Sequence, residues 1–123
     1  MKFITHALLA ASACLAFMSP VLAQQAPTNS IEAINVAQQG NDIAVKIDLK
    51  DALAAPPAGF SVANPAKIAL DFPSTANGLG KSSQTVNEGD LRSLNIVQAG
   101  ERTRLVLNLT RNMNYSTRID GKS

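Results

Sequence analysis

From Asp42 to Lys50 the chain alternates strictly. Ile43, Val45, Ile47 and Leu49 fall on one parity, and Asp42, Ala44, Lys46, Asp48 and Lys50 on the other. A period of two puts the four aliphatics on one face of a strand and the charges on the opposite face, whereas a helix would scatter them around its circumference. The same rhythm recurs in Lys67–Phe72, with Ile68, Leu70 and Phe72 in phase. It recurs in Leu91–Gln98, with Leu94 and Ile96 inward, and in Arg104–Leu109, with Leu105, Leu107 and Leu109 inward. Ile31 and Ala33 lie on one parity and Ile34 and Val36 on the other, which predicts a first strand with a bulge or a switch of face. Phe60 and Val62 make a short strand, and Tyr115, Thr117 and Ile119 begin a last one.

Turn chemistry separates these runs. Gln38-Gln39-Gly40-Asn41, Asn64-Pro65, Ala99-Gly100-Glu101 and Arg111–Asn114 are turn signals, and Gly121-Lys122 reads as the turn of one more hairpin. Ala54–Gly59 is a loop in which Pro56 and Pro57 bar a helix. Pro73 ends the strand before it, because it cannot donate to a ladder. Ser74–Asp90, rich in Gly, Asn and Ser, reads as a long polar loop. Six or seven short strands broken by turns roughly every ten residues predict an all-β, two-sheet β-sandwich. Lys67-Ile68-Ala69-Leu70-Asp71-Phe72 and Arg104-Leu105-Val106-Leu107-Asn108-Leu109 echo each other. They are either the centres of two similar halves or simply two buried strands.

The N-terminus follows another logic. Lys2 supplies a positive charge, Ala7–Met18 is apolar apart from Ser12, and Val21-Leu22-Ala23 places small or apolar residues before a cut between Ala23 and Gln24. Residues 1–23 are therefore expected to be a cleavable signal peptide, too short in its apolar run to span a membrane. Ala11-Ser12-Ala13-Cys14 only faintly suggests a lipoprotein box, with Ala in place of the usual Leu. Residues 24–29 form a flexible lead-in, and residues 30–123 the folded domain.

Removing the leader changes the chemistry available. The 123-residue chain has one His and one Cys, and His6, Cys14 and Lys2 all leave with it. Ten basic and nine acidic side chains remain, a net charge of +1. Without His or Cys there is no Ser-His or Cys-His nucleophile and no zinc site of the usual type. Glu88 with Asp90, and Asp48 with Asp51, are close in sequence but lie at turn and strand-end positions where solvated carboxylates are ordinary. Gly78-Leu79-Gly80-Lys81-Ser82 imitates a phosphate loop, yet Thr75 stands where the first Gly is needed and no helix follows. The sequons at Asn108 and Asn114 are discounted for a bacterial export route. No enzyme, cofactor or metal is expected, and so weak a positive charge gives no nucleic-acid footprint.

What remains is basic. Arg92, Arg102, Arg104, Arg111 and Arg118 gather in the last third, and Lys67 holds the matching place in the first half. Lys67, Arg92, Arg102 and Arg104 are the candidate ligand-binding residues, since arginine suits bidentate contact with the carboxylates that cell-wall peptides carry.

Asn64-Pro65-Ala66-Lys67-Ile68-Ala69-Leu70-Asp71-Phe72, then Arg102–Leu109, Tyr115 and Gly121, resemble the AMIN domain, most of all the first AMIN domain of PilQ-type secretins of type IV pili. The resemblance covers about Ser30 to Ser123. It implies a β-sandwich whose closing C-terminal strand lies beyond this piece. It implies a periplasmic module that binds peptidoglycan, with other secretin domains and pilus assembly proteins as partners and the outer membrane reached through the rest of the secretin. AMIN domains also precede cell-wall amidases, so a targeting domain of an N-acetylmuramoyl-L-alanine amidase is the alternative host. A subunit that lends an open sheet edge to a partner by strand addition is a third reading.

Overall fold

In the computed structural model residues 26–123 are described, and no helix occurs among them. The leader assigned to residues 1–23, Cys14 and the cut between Ala23 and Gln24 lie outside the described residues. Eight strands follow in order: β1 (Asn29–Gln39), β2 (Asp42–Leu49), β3 (Ala58–Val62), β4 (Lys67–Phe72), β5 (Thr75–Asn77), β6 (Ser83–Glu88), β7 (Leu91–Ala99) and β8 (Arg102–Leu109). They form a three-stranded sheet in the order β2-β1-β5 and a five-stranded sheet in the order β3-β4-β8-β7-β6.

The alternating runs became the strands that build the core. Ile68, Leu70 and Phe72 of β4, Leu91, Leu94 and Ile96 of β7, and Leu105, Leu107 and Leu109 of β8 are all buried, against Ile31, Ile34 and Leu49 of the smaller sheet. Burying a side chain of this size contributes about 1.5–3 kcal/mol by removal of apolar area from water. The predicted switch of face in β1 is a bulge. Ile31 pairs with Leu49 while Ala33 pairs with Asp48, so both Ile31 and Ile34 reach the core. Gly40-Asn41 and Gly100-Glu101 make two-residue hairpin turns, each with its Gly at positive φ (63°), where a Cβ would be strained.

The echoing segments are not the centres of two halves. β4 and β8 are antiparallel neighbours in one sheet, so their common pattern reflects a common environment. Two expectations are corrected. Ser74–Asp90 is not one loop, because it contains β5 and β6. β5 has only three residues and no aliphatic alternation, and it is held from both sides. It runs parallel to β1, while the Thr75 N–H donates to the Glu101 carbonyl at 2.8 Å. The Thr103 hydroxyl donates to the Thr75 carbonyl at 2.7 Å, with both threonines fully buried. Gly78 follows so closely that a Cβ there would stand 2.7 Å from the Ile31 carbonyl oxygen. β6 is an edge strand of half-buried and exposed residues, polar except for Val86, which packs on the core, the composition expected where one side meets water.

The second correction concerns Tyr115, Thr117 and Ile119, which form no strand. The segment after β8 runs irregularly beneath β3 and on to β2. Met113 packs on the core, and the Tyr115 ring lies where a side chain on Gly59 would point. The Leu49 N–H donates to the Lys122 carbonyl at 2.8 Å. These side-chain and single backbone contacts replace the continuous ladder that the alternation suggested. Gly121-Lys122 is a turn, closed by reciprocal bonds of 3.0 Å between Asp120 and Ser123, but the segment before it is no strand, so the hairpin read there is not formed.

Leu105→Ala should cost about 2–5 kcal/mol in urea unfolding, because its site is sealed on all sides. Val97→Ala on the exposed face should cost under about 0.5 kcal/mol. Thr103→Val keeps the shape but removes the donor to Thr75, and should cost about 1–3 kcal/mol. Equal stability of Thr103→Val and the parent chain would mean that β5 is held by its backbone bonds and packing without the Thr103 hydroxyl.

Candidate ligand-binding face

The outward side of the five-stranded sheet carries the candidate residues, and the register sorts them into rows. Val97, Arg104, Asp71 and Ala58 lie side by side across β7, β8, β4 and β3. The next row is Asn95, Val106, Ala69 and Phe60, and the third is Ser93, Asn108, Lys67 and Val62. Four residues separate Arg104 from Asn108, so the first and third rows are about 13 Å apart along β8. The face is therefore an open surface with an apolar middle and a basic group toward either end.

At the first end, Arg104 is already engaged. Its Nε donates to Asp71 Oδ1 at 2.7 Å and its Nη2 to Oδ2 at 3.1 Å, a fork on one carboxylate. Its guanidinium also lies 5.1 Å from the Phe60 ring centroid, within cation–π range. The hydrogen bond from Arg104 holds the Asp71 carboxyl below the usual carboxylate range, with a smaller pull from the charges of Arg104 and Arg102, and the Arg104 guanidinium is raised in turn. Arg102, opposite Ala99 beside the hairpin turn, is exposed.

At the other end, a bulge shapes the surface. Leu91 pairs with Leu109 and Ser93 with Asn108, so Arg92 is the extra residue of β7. Bulges bend a strand and re-aim its side chains. Arg92 lines a shallow depression of about 260 Å³ with Lys67, Pro65, Ala66, Ser93, Asn108 and Leu109. The Asn108 amide nitrogen donates to Ser93 Oγ at 3.0 Å and to Asn95 Oδ1 at 2.7 Å. Among the described residues the ion pairs are Arg104–Asp71, Arg111–Asp90 and Lys46–Asp48, and none holds Lys67, Arg92 or Arg102.

The structure thus brings Lys67 together with Arg92 and places Arg102 with Arg104, as two groups on one face. Arg111 is tied instead to Asp90, which also accepts from the Thr110 hydroxyl at 2.6 Å. The Thr110 bond first and the Arg111 bond next hold the Asp90 carboxyl low. That cluster clamps the β6–β7 turn to the end of β8. Asp48 accepts from the Ser123 hydroxyl at 2.7 Å, so neither suspected carboxylate pair stands alone.

The profile of the AMIN domain matches residues 45–123, more than half of the chain. The chain belongs to the AMIN domain family. As an AMIN domain it is 34% identical over 110 residues to the fimbrial assembly protein PilQ of Pseudomonas aeruginosa, covering 89% of this chain and 15% of that protein. It is 32% identical over 107 residues to the type IV pilus biogenesis and competence protein PilQ of Neisseria gonorrhoeae, covering 85% of this chain and 15% of that one. The corresponding protein of Neisseria meningitidis is equally similar. The chain therefore spans about one-seventh of the length of these relatives. No solved structure matches it.

Sequence reasoning missed Asp71, Ser93, Asn95, Asn108, Phe60 and Val97 on the outward face of this AMIN domain. The echo held a usable signal for two of them. Pairing its segments antiparallel sets Arg104 against Asp71 and Lys67 against Asn108. Phe60 and Val62, read only as strand residues, are 45% and 42% exposed.

The Asp71 shift has a pH consequence. A carboxyl depressed in the folded chain binds its proton less readily there than in the unfolded chain, whose value is about 3.9. Its stabilisation is complete above that value and is lost as the pH falls through the lower folded value. The stability difference between the parent chain and Asp71→Asn should be constant from about pH 7 to pH 5 and shrink below about pH 4. Urea titrations across that range measure it, and a difference that ignores acid would show that the fork contributes nothing.

Proposed function

We propose that this chain is a non-catalytic, peptidoglycan-binding AMIN module of a type IV pilus secretin, exported to the periplasm and positioning the secretin in the envelope. The observation that carries the reading is similarity to PilQ proteins over 85–89% of the chain, on top of the family match. The geometry supports it. The face is broad and open, its depression is shallow, and its donors are spread over about 13 Å, which suits a polymer better than an enclosed small molecule. The net charge of +1 after loss of the leader leaves nucleic acid without a basic stripe to follow. Pilus relatives on this scale favour the secretin host over the amidase. In that host the partners are peptidoglycan, neighbouring secretin domains and pilus assembly proteins, and the outer membrane is reached through other parts of the secretin. Pilus biogenesis, DNA-uptake competence and protein secretion are the processes it would serve.

Sedimentation with purified sacculi tests the reading. The chain should co-sediment well above a β-sandwich control matched in size and charge. Recovery equal to that control, at low and at physiological salt, would overturn it.

A further inference from the structure

Lys67 and Arg92 share a depression whose lining contains no carboxylate. Two cations held side by side without an acid partner repel each other, and an anion between them relieves that repulsion. The fold brings them together by separate devices, Lys67 by the register of β4 with β8 and Arg92 by the bulge in β7.

A third donor joins them. Ser93 Oγ accepts a hydrogen bond from the Asn108 amide, and Asn108 spends its other amide proton on Asn95. That arrangement leaves the Ser93 hydroxyl proton free to donate. An ammonium, a guanidinium and a hydroxyl therefore border one shallow hollow, with Pro65, Ala66 and Leu109 as its apolar wall. Neutral sugar hydroxyls do not call for two cations. A carboxylate does, since its two oxygens can take a guanidinium fork and a point charge together. Arg104, the other arginine on this face close to an anion, already has its carboxylate in Asp71.

We propose that the depression between Lys67 and Arg92 is a carboxylate-binding subsite that takes the free acid group of a short peptide, with the apolar wall receiving an adjacent aliphatic side chain. This rests on the peptidoglycan reading and deepens it, because it assigns recognition to the peptide acids of the wall and not to its sugar backbone.

Co-sedimentation of the full chain with two preparations of sacculi tests it, one native and one with its carboxyl groups converted to neutral amides. The parent chain should lose affinity roughly tenfold on the amidated preparation, the scale expected when charge-assisted hydrogen bonds are removed. The double variant Lys67→Gln/Arg92→Gln should lose as much on native sacculi and nothing further on amidation. Lys50→Gln, an exposed cation just after β2 of the smaller sheet, should behave as the parent. Matching urea midpoints for all chains establish that the variants are folded. A double variant that binds native sacculi as the parent does, or that still responds to amidation, overturns the subsite while leaving the peptidoglycan reading intact. Failure of the parent chain to bind native sacculi overturns both.

Discussion

The antiparallel pairing of β4 with β8 is the constraint on which the rest of the molecule depends. β8 is the central strand of the larger sheet, and β4 lies directly beside it. Each strand has a buried parity and an outward parity. A slip of one residue would send Ile68, Leu70 and Phe72 into water and Lys67 and Asp71 into the core. A slip of two would keep the core parity but break both outward pairs, the Arg104–Asp71 fork and the Lys67–Asn108 neighbours. The hydrophobic faces exclude the odd slips, and the polar face opposes the even ones. One register thus builds the core and lays out the outward face, so neither can be altered without the other.

The smaller sheet attaches through a less conspicuous device. β1 and β2 form a long hairpin that carries aliphatics on its inner side. β5 completes that sheet and also bonds to the β7–β8 hairpin of the larger one, through the Glu101 carbonyl and the Thr103 hydroxyl. Buried polar groups are costly unless satisfied. Thr103 is satisfied by the Thr75 carbonyl, and the Thr75 hydroxyl by the Pro73 carbonyl at 2.8 Å. Three residues of strand are enough because both neighbours are already fixed.

What was legible in the sequence follows from these mechanisms. β2, β4, β7 and β8 are paired and half-buried over most of their length, so packing wrote a period of two into them. The bulge in β1 was legible because it shifts that period at Ile31–Ile34. β5 left no periodic trace, since its stability comes from backbone bonds and two buried threonines. β6 is an edge and tolerates polar residues. Tyr115–Ile119 shows the converse, an alternation with no strand beside it to complete a ladder. On the outward face, four basic residues stand out in the sequence, but their surroundings do not. Arg104 is neutralised by Asp71, 33 residues away in sequence, whereas Lys67 and Arg92 are drawn together by a register and a bulge that only the folded sheet defines.

That difference in condition matters more than the number of cations. A net charge of +2 over the whole chain makes only a weak long-range field, and at physiological salt such a field fades within about 8 Å. What the outward face presents is therefore set by local geometry. Arg104, paired with Asp71 and lying over the Phe60 ring, presents a pair that is close to neutral, while Arg102 near it has no ion pair among the described residues. Lys67, Arg92 and the Ser93 hydroxyl at the other end remain as uncompensated donors. With one uncompensated cation at the Arg104 end, Arg102, and two at the other, Lys67 and Arg92, the outward face of the sheet is unequally charged along its length.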